Sequence, residues 1–211
     1  MNQENKMSIF TNDLPDNYTF SGDLAIDTEA MGLKVGRDRL CLVQICDSKQ
    51  KIAAVHFHEM NYEAPNLRKI LNDKNTTKIM HFARFDARII QEYLNIEMDN
   101  IFCTHIASRL ARTYTNSHSL KELCRELLNV NLSKQATCTD WGAHRLSKEQ
   151  INYAKYDVKY LHEIKEKITE ILHREGRTDL AFKIFKCLPA RIDLDLCGWD
   201  NTDIFAHYTE K

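Results

Sequence analysis

Three short apolar runs near the N-terminus constrain the fold of this chain more than any other feature. They cover residues 23–27, 40–46 and 52–56, and each has the length and the β-branched character of a strand rather than a helix. Residues 47–50 between the last two runs have the composition of a tight turn, and two glycines lie in the loop between the first two. We therefore predict an antiparallel meander of three strands.

The pattern changes after residue 64, where helical spacing alternates with short strands. The predicted helices cover 65–71, 84–94, 106–112, 120–128 and 148–173, and the predicted strands cover 78–82 and 101–104. Ser119 and Ser147 are predicted to cap the last two helices. Three antiparallel strands followed by alternating helices and strands indicate an α/β fold with a mixed central sheet flanked by helices. Since no low-complexity linker interrupts residues 1–211, we expect a single domain.

The cysteines and the hydropathy pattern exclude several classes of protein. The seven cysteines are odd in number and include no CxxC pair, which argues against a disulfide framework or a cysteine-ligated zinc site. Reduced thiols of this kind are typical of the cytosol. No apolar run approaches the roughly 18 residues of a transmembrane segment, and residues 1–11 lack the apolar stretch of a signal peptide. We expect a cytoplasmic protein that does not associate with membranes.

The first candidate functional motif is Asp27-Thr28-Glu29, at the end of the first apolar run. Side chains at i and i+2 lie on one face of a strand, so Asp27 and Glu29 can converge on one cation. Hard divalent ions such as Mg²⁺ and Mn²⁺ prefer carboxylate oxygens. Two acids at this spacing are common, however, and the alternative is a solvated loop.

Two further acidic motifs follow in the predicted helices. Asp86 lies in the first turn of a helix that follows a strand, where it could either reach the same sheet end or simply complement the helix dipole. Tyr153 and Asp157 are one turn apart on one helix face, where the alternative is a core tyrosine beside an exposed acid. The three motifs together are much rarer than any one of them, and they predict a shared acidic site.

These residues resemble the motifs of the DEDD exonuclease superfamily, in the tyrosine-bearing branch that includes ribonuclease D and proofreading domains. Asp27 and Glu29 match the first motif, Asp86 the second, and Asp157 with Tyr153 the third. The resemblance extends to residues 32–33, 38–44, 119–123, 127–130, 132–135, 140–141 and 154–161. It implies a ribonuclease H-like fold and 3′-5′ exonuclease activity. Ala30 departs from the polar residue that is usual after the first-motif glutamate, which a metal site does not require.

Within this superfamily the chain looks most similar to the nano-RNase C group of short members. Residues 106–115, 132–135 and 188–207 carry that similarity. It implies a preference for single-stranded RNA of a few nucleotides, down to dinucleotides, and a homo-oligomeric ring, thought to be an octamer. The tail 188–211 fits an oligomer interface because it is unusually apolar for a free terminus, although it could instead fold back on its own domain. Its apolar side chains are Leu188, Ile192, Leu194, Leu196, Trp199, Ile204 and Phe205.

The resemblance also implies roles for the motif residues around two divalent cations, Mg²⁺ or Mn²⁺, that clamp the scissile phosphate. Asp27 would bridge both ions, Glu29 and Asp157 would complete the first, and Asp86 would hold the second, through water. Tyr153 would position the attacking water rather than deprotonate it, because a phenol with a pKa near 10 is a poor base at neutral pH.

Several residues are candidates for substrate binding. By resemblance Leu33 is an apolar wedge between the last two bases, with ordinary loop packing as the alternative. The other candidates are Thr28, His81, Arg109, Arg112, Lys134 and Trp141. Any of the three basic residues could instead be a plain solvated charge. The net charge of −1, from 29 basic and 30 acidic residues, argues against a long electrostatic track and favours short substrates.

Two other functions stay open at this point. A 3′-5′ exonuclease that acts on DNA, or on longer structured RNA, would use the same carboxylates. An inactive scaffold that binds RNA would typically have lost one of the metal ligands, whereas all four acids and Tyr153 are present. A rival metal site at His56 and His58 is not favoured, since the sequence supplies no third ligand beside them.

Overall fold

A mixed six-stranded sheet forms the centre of the protein, whose computed structural model describes residues 6–34, 36–132 and 140–207. The strands are β1 (Ser8–Thr11), β2 (Leu24–Ala30), β3 (Leu40–Asp47), β4 (Ile52–His56), β5 (Lys78–Met80) and β6 (Ile101–Cys103). Their order in the sheet is β1-β4-β3-β2-β5-β6. The pairs β2–β3 and β3–β4 are antiparallel, whereas β1–β4, β2–β5 and β5–β6 are parallel. The predicted meander and the predicted mixed α/β fold are confirmed.

The strands of the meander are apolar because their side chains are buried on both faces of the sheet. Every residue of β3 and β4 is buried, which explains the near-continuous apolar runs in the sequence. Strand β1 was not predicted, since Ser8–Thr11 is largely exposed and contains only two apolar residues. It is an edge strand that exists through its parallel pairing with β4, and such pairing leaves little signal in the strand's own sequence.

Eight helices lie in the described part of the chain. They are α1 (Pro65–Leu71), α2 (Ala83–Leu94), α3 (Thr104–Ala111), α4 (Leu120–Leu128), α5 (Lys148–Lys159), α6 (Leu161–Arg174), α7 (Thr178–Lys186) and α8 (Leu188–Leu196). Both predicted caps are confirmed: the side chain of Ser119 accepts from the backbone of Glu122, and Ser147 forms a capping box with Gln150. No helix of the described residues combines the length and apolar character that a membrane crossing requires.

The prediction of one long helix over 148–173 is wrong, because the chain bends at Tyr160 between α5 and α6. Helix α5 packs on β2 and β3, whereas α6 packs mainly on α3 and α4. The bend lets each half bury its own apolar stripe against a different layer. No proline or glycine marks the position, and the 3.6-residue periodicity continues across it, so the sequence carries no signal for the break.

The C-terminal helix α8 packs against α2 through both apolar contacts and a buried ion pair. Leu188 and Ile192 are buried, so the first part of the tail folds back on its own domain. Asp195 is only 1% exposed, and it accepts from Nε and Nη2 of Arg84 at 2.6 and 2.8 Å. Arg191 adds a further contact to the same carboxylate at 2.9 Å. These contacts attach α8 to the helix that carries Asp86.

We expect Arg84→Met to lower the free energy of unfolding by about 3 kcal/mol, because it leaves the buried Asp195 carboxylate with too few partners. Chemical denaturation of the purified variant measures this loss. The matched control is Lys74→Met, which breaks the exposed Lys74–Asp99 pair and should cost less than about 1 kcal/mol. Equal losses in the two variants would show that the buried pair contributes no more than a surface one.

Candidate active site

Strand β2 carries the first two acids to the carboxyl end of the strand. Asp27 lies opposite Gln44 of β3 in the antiparallel register, and Gln44 Nε2 donates to Asp27 Oδ2 at 2.9 Å. A bulge follows between Glu29 and Ala30, at the point where the strand leaves the regular ladder. Asp27 and Glu29 therefore lie on one face of β2, with Asp27 oriented by a fully buried glutamine.

Asp86 reaches the same end of the sheet from the first turn of α2, which follows β5. Its Oδ1 accepts two hydrogen bonds from Thr28, one from the backbone nitrogen at 3.0 Å and one from the hydroxyl at 2.6 Å. Both side chains are buried. The Thr28 hydroxyl thus holds Asp86 in place, and a contact of Thr28 with substrate stays a prediction.

Helix α5 supplies Asp157 and Tyr153 and packs directly on β2 and β3. Carboxylate oxygens of Asp27, Glu29 and Asp157 lie within 4.8 Å of one another. This is the only group of three or more acidic, histidine or cysteine ligands so arranged among the described residues. Asp86 is close enough for its charge to raise the pKa of Asp27 and Glu29, and one of its oxygens is taken by Thr28. The structure thus brings together all four acids that the sequence singled out.

Burial raises the pKa of each of these acids, and neighbouring charges raise three of the four pKa values further. For Asp27 burial has the largest effect, followed by the charges of Asp86, Asp157 and Glu29. Burial and the charges of Asp157 and Asp86 raise the pKa of Glu29 to about 9, and burial and the charge of Asp86 raise that of Asp157 to about 7. Burial alone raises the pKa of Asp86 to about 7, against the hydrogen bonds from Thr28, which lower it. Four buried carboxyl groups this close together cannot all ionise without a large cost in free energy, unless a positive charge compensates them. An all-oxygen set of this kind fits hard divalent cations.

Tyr153 lies beside this cluster with its hydroxyl protonated at neutral pH. Burial raises its pKa first, and the charges of Asp157, Glu29 and Asp27 raise it further. A tyrosine in this state can donate a hydrogen bond but cannot remove a proton. The electrostatics therefore agree with a positioning role rather than a basic one.

Leu33 lies in the loop after β2 and is 86% exposed, so packing within the loop does not account for it. Asp38 holds the loop in place, because its Oδ2 accepts a hydrogen bond from the backbone nitrogen of Lys34 at 2.9 Å. A Cβ at Gly32 would lie 2.4 Å from that same Asp38 oxygen, so the close approach requires glycine. The loop thus presents an apolar side chain to solvent directly after the strand that carries Asp27 and Glu29.

Two of the predicted substrate contacts, Trp141 and Arg112, lie at buried positions. Trp141 is only 5% exposed; its ring centroid lies 6.2 Å from that of Tyr153, and its carbonyl oxygen lies 3.1 Å from His56 Nε2. Arg112 is fully buried and donates to Ser108, to the Ser117 carbonyl and to Glu126. A contact of either side chain with RNA stays a prediction. Trp141 packs near Tyr153.

The remaining candidates lie in different surroundings. His81 Nδ1 is 3.0 Å from the Thr104 hydroxyl, which itself donates to the Met80 carbonyl oxygen, so Nδ1 must carry the proton and donate. Burial lowers the pKa of His81 to about 3, so the ring is neutral and its Nε2 is an acceptor. Arg109 is exposed on α3. Lys134 lies outside the described residues.

Two features of this region were missed by the sequence analysis. Gln44 orients Asp27, and its only signal was a polar residue inside the apolar run Leu40-Cys-Leu-Val-Gln-Ile-Cys46. A third histidine, His144, lies beside His58 with 4.7 Å between ring centroids. It comes from a segment more than 80 residues away, which no spacing rule connects. These rings do not bring three ligand atoms together, and the described residues contain no second metal-ligand group.

Comparison with known proteins agrees with this arrangement. A family model described as 3′-5′ exonuclease matches residues 3–173. The structure is similar to that of Brucella melitensis NrnC bound to pGG, with 46% identity, a TM-score of 0.91, and coverage of 96% of this chain and 99% of that one. It is similar to the same protein with bound Mg²⁺, at 45% identity and a TM-score of 0.90 over 96% of this chain and all of the other.

A second group of relatives consists of longer proteins. Ribonuclease D of Sphingobium indicum is 33% identical over 157 residues, which are 74% of this chain and 40% of that protein. The chain therefore spans less than half the length of this curated relative. The predicted resemblance to nano-RNase C and to ribonuclease D is confirmed, as is the ribonuclease H-like fold of the exonuclease domain.

Proposed function

Because this chain belongs to the 3′-5′ exonuclease family, we propose that it is a metal-dependent exoribonuclease that removes nucleoside 5′-monophosphates from the 3′ end of short single-stranded RNA. The observation that carries the proposal is the convergence of three carboxylates from β2 and α5 within 4.8 Å, beside a protonated tyrosine. The similar Brucella protein has been solved with bound Mg²⁺ and with bound pGG, which supports a divalent metal and a short oligonucleotide.

The residues of the site fit two divalent cations, Mg²⁺ or Mn²⁺. Such ions, when bound, increase the acidity of water and offset the charge that develops on a scissile phosphate. Asp27, Glu29 and Asp157 would hold one ion, and Asp27 with Asp86 the other. Gln44 and Thr28 fix the orientation of Asp27 and Asp86, so these carboxylates are positioned before substrate arrives.

The chain's own groups would align the reacting water and the substrate. Tyr153 is a hydrogen-bond donor at every pH at which the enzyme is expected to work, so we assign it to orienting the water against the phosphate. Leu33 would separate the last two bases, which holds the terminal nucleotide apart from the rest of the strand. His81 Nε2 and Arg109 remain candidate substrate contacts.

We expect Leu33→Ala to reduce kcat/KM on RNA by about tenfold, because the side chain would stack on substrate bases. Since Leu33 is exposed, the thermal unfolding temperature should stay at the wild-type value. The matched control is Leu180→Ala, which removes an exposed leucine from α7 and should leave kcat/KM unchanged. An unaltered kcat/KM in Leu33→Ala would show that Leu33 does not separate the last two bases.

The proposal is tested with 5′-labelled RNAs of two to twenty nucleotides and matched DNAs, incubated with Mg²⁺, with Mn²⁺ or with a chelator. The expected result is stepwise loss from the 3′ end, the highest kcat/KM on the shortest RNAs, and no cleavage with the chelator. A higher kcat/KM on DNA or on structured RNA would instead favour the alternative substrates. Absence of cleavage on every substrate would favour an inactive RNA-binding scaffold.

We further propose that the chain forms a homo-oligomer, as a closed ring of eight. Support comes from the exposed apolar side chains of the tail, Trp199, Ile204 and Phe205, which the fold-back of α8 leaves uncovered. Light scattering coupled to size exclusion tests this, and a monomer at micromolar concentration would contradict it. The six described cysteines are free thiols, which is compatible with the cytoplasmic location that we predict.

A further inference from the structure

Residues 140–144 form a short irregular segment that lies between the sheet and helix α5. On the helix side, Gln150 in the first turn of α5 donates from Nε2 to the Asp140 carbonyl oxygen at 3.1 Å. Trp141 is the next residue of the segment, and its ring centroid lies 6.2 Å from that of Tyr153. The segment is therefore attached to the helix that carries Tyr153, and it packs near the tyrosine ring itself.

His56, the last residue of β4, attaches the segment to the sheet. Its Nε2 lies 3.1 Å from the carbonyl oxygen of Trp141. Because a carbonyl oxygen can only accept a hydrogen bond, Nε2 carries the proton and donates it. His56 is buried, and this burial has the largest effect in lowering its pKa, so the ring is neutral at neutral pH. His56 thus acts as a single fixed donor towards the backbone of Trp141.

The strand register places His56 on the same face of the sheet as the catalytic acids. Glu29 lies opposite Leu42 in the β2–β3 pair, and Leu42 lies opposite His56 in the β3–β4 pair. Residues directly opposite each other on paired strands share one face of the sheet. His56 is two strands, or about 10 Å, from Glu29. It is too far away to touch the reacting groups, so its effect on them has to pass through the segment.

Arg39 provides a second attachment of the same segment to the sheet. Its Nη1 donates to the Phe57 carbonyl oxygen at 2.6 Å, and its Nη2 donates to those of His58 and Gly142 at 2.9 and 3.3 Å. A Cβ at Gly142 would lie 2.5 Å from that Nη2 and 2.9 Å from Met31 Sδ, so glycine permits the close approach. The sheet therefore holds the segment at two consecutive carbonyl oxygens.

We propose that His56 is a positioning residue for RNA hydrolysis: through the segment 140–144 it holds Trp141 against Tyr153 and so fixes the tyrosine hydroxyl beside the acids. The inference rests on the proposed exoribonuclease function and adds a residue that acts on kcat without touching substrate or metal. A displacement of about 1 Å in a group that orients a reactant can lower a rate by about 100-fold. The support of the Tyr153 ring therefore bears directly on turnover.

The test measures kcat and KM on the dinucleotide pApA for two amide substitutions of His56. His56→Asn has a side chain too short to reach the Trp141 carbonyl oxygen, and it should lower kcat by about tenfold with KM within about twofold of wild type. His56→Gln places an amide nitrogen where Nε2 stood, and it should restore kcat to within about twofold of wild type. The matched control is His162→Asn, which removes an equivalent bond from His162 Nε2 to the Asp23 carbonyl oxygen, just before the start of β2, and should change neither constant.

The same substitution in a Tyr153→Phe background separates a positioning role from a purely structural one. If His56 acts through the tyrosine hydroxyl, His56→Asn should lower kcat by less than about twofold once that hydroxyl is absent. Thermal unfolding establishes whether His56→Asn is folded. If it is not, Arg39→Lys gives the same comparison in both backgrounds, because lysine lacks the planar fork that joins the carbonyl oxygens of His58 and Gly142.

Three results would overturn the positioning role. An unaltered kcat in folded His56→Asn would show that the bond to Trp141 does not affect turnover. A loss of the same factor with and without the Tyr153 hydroxyl would show that His56 only stabilises the fold. A rise in KM larger than the fall in kcat would indicate a role in substrate binding instead. If the wild-type protein cleaves no RNA, the proposed function itself fails, which is distinct from all three.

Discussion

Replacing Asp27 by asparagine is expected to reduce RNA hydrolysis by at least about 1,000-fold while the fold stays intact. Asp27 is the acid most strongly affected by its neighbours, since Asp86, Asp157 and Glu29 all act on its pKa. It is also the carboxylate that would contact both cations. An amide of the same shape keeps the hydrogen-bonding partner Gln44 within reach but loses the charge that a hard cation requires. Initial rates on pApA under saturating Mn²⁺ measure the loss.

The same substitution should raise the thermal unfolding temperature of the metal-free protein. Acids whose pKa is raised in the folded state bind more protons there than in the unfolded chain, so they destabilise the fold as pH rises. For Glu29 the pH window of this loss extends from the ordinary pKa of 4.5 to the raised pKa of about 9. The metal-free wild type should therefore lose stability from pH 5 towards pH 9, and Asp27→Asn should lose less, because one repelling charge is absent.

Thermal unfolding in EDTA across that pH range, followed by addition of Mn²⁺, tests both parts of the prediction. Added Mn²⁺ should stabilise the wild type much more than the variant. Asp179→Asn, which changes an exposed acid on α7, is the matched control and should behave as wild type. Near-normal activity of Asp27→Asn under saturating Mn²⁺ would show that the acidic cluster around Asp27 is not the active site.

Tyr153→Phe is expected to reduce kcat by about 100-fold with little change in the KM for RNA. The ring would still pack near Trp141, whose centroid is 6.2 Å away, but the hydroxyl that we propose to orient the water would be missing. Because the pKa of Tyr153 is raised, the hydroxyl of the wild type stays protonated. The loss should consequently be the same at pH 6.5 and at pH 8.5.

Steady-state kinetics on pApA at the two pH values separate the possible roles of this residue. Tyr156→Phe provides the control, since it makes the same change three residues along α5 on a more exposed side chain. Equal losses in kcat and in substrate affinity would point to a packing role for Tyr153. A loss of kcat in Tyr153→Phe that grows with pH would instead indicate that the phenol acts as a base.

The acids could be predicted because each stands at a position that local rules define: the end of a strand, the first turn of a helix, and one face of a helix. Asp27, Asp86 and Asp157 are examples. The partners of these acids could not be predicted in the same way. The hydrogen bond from Thr28 to Asp86 joins residues 58 positions apart, and that from Gln44 to Asp27 depends on strand register. Long-range geometry of this kind has no local signature in one sequence.

Burial is a second property that the sequence does not give. Arg112 and Trp141 are candidates for substrate binding by residue type, and both are buried. Residue type does not reveal whether a side chain meets solvent or an internal partner such as Glu126. Leu33 shows the reverse case, since a leucine that would be expected to pack is almost entirely exposed. Burial had to be observed before these residues could be assigned.

The attachment of α8 to α2 affects the order in which parts of this protein can fold during translation. Arg84 precedes its partner Asp195 by 111 positions, and it lies two residues before Asp86. A nascent chain emerges from its N-terminus, so α2 acquires this anchor only after residue 195 has been translated. Asp157 also comes late in the sequence. A growing chain therefore cannot bring the four acids together until residue 157 has been translated, and it cannot anchor α2 until residue 195 follows.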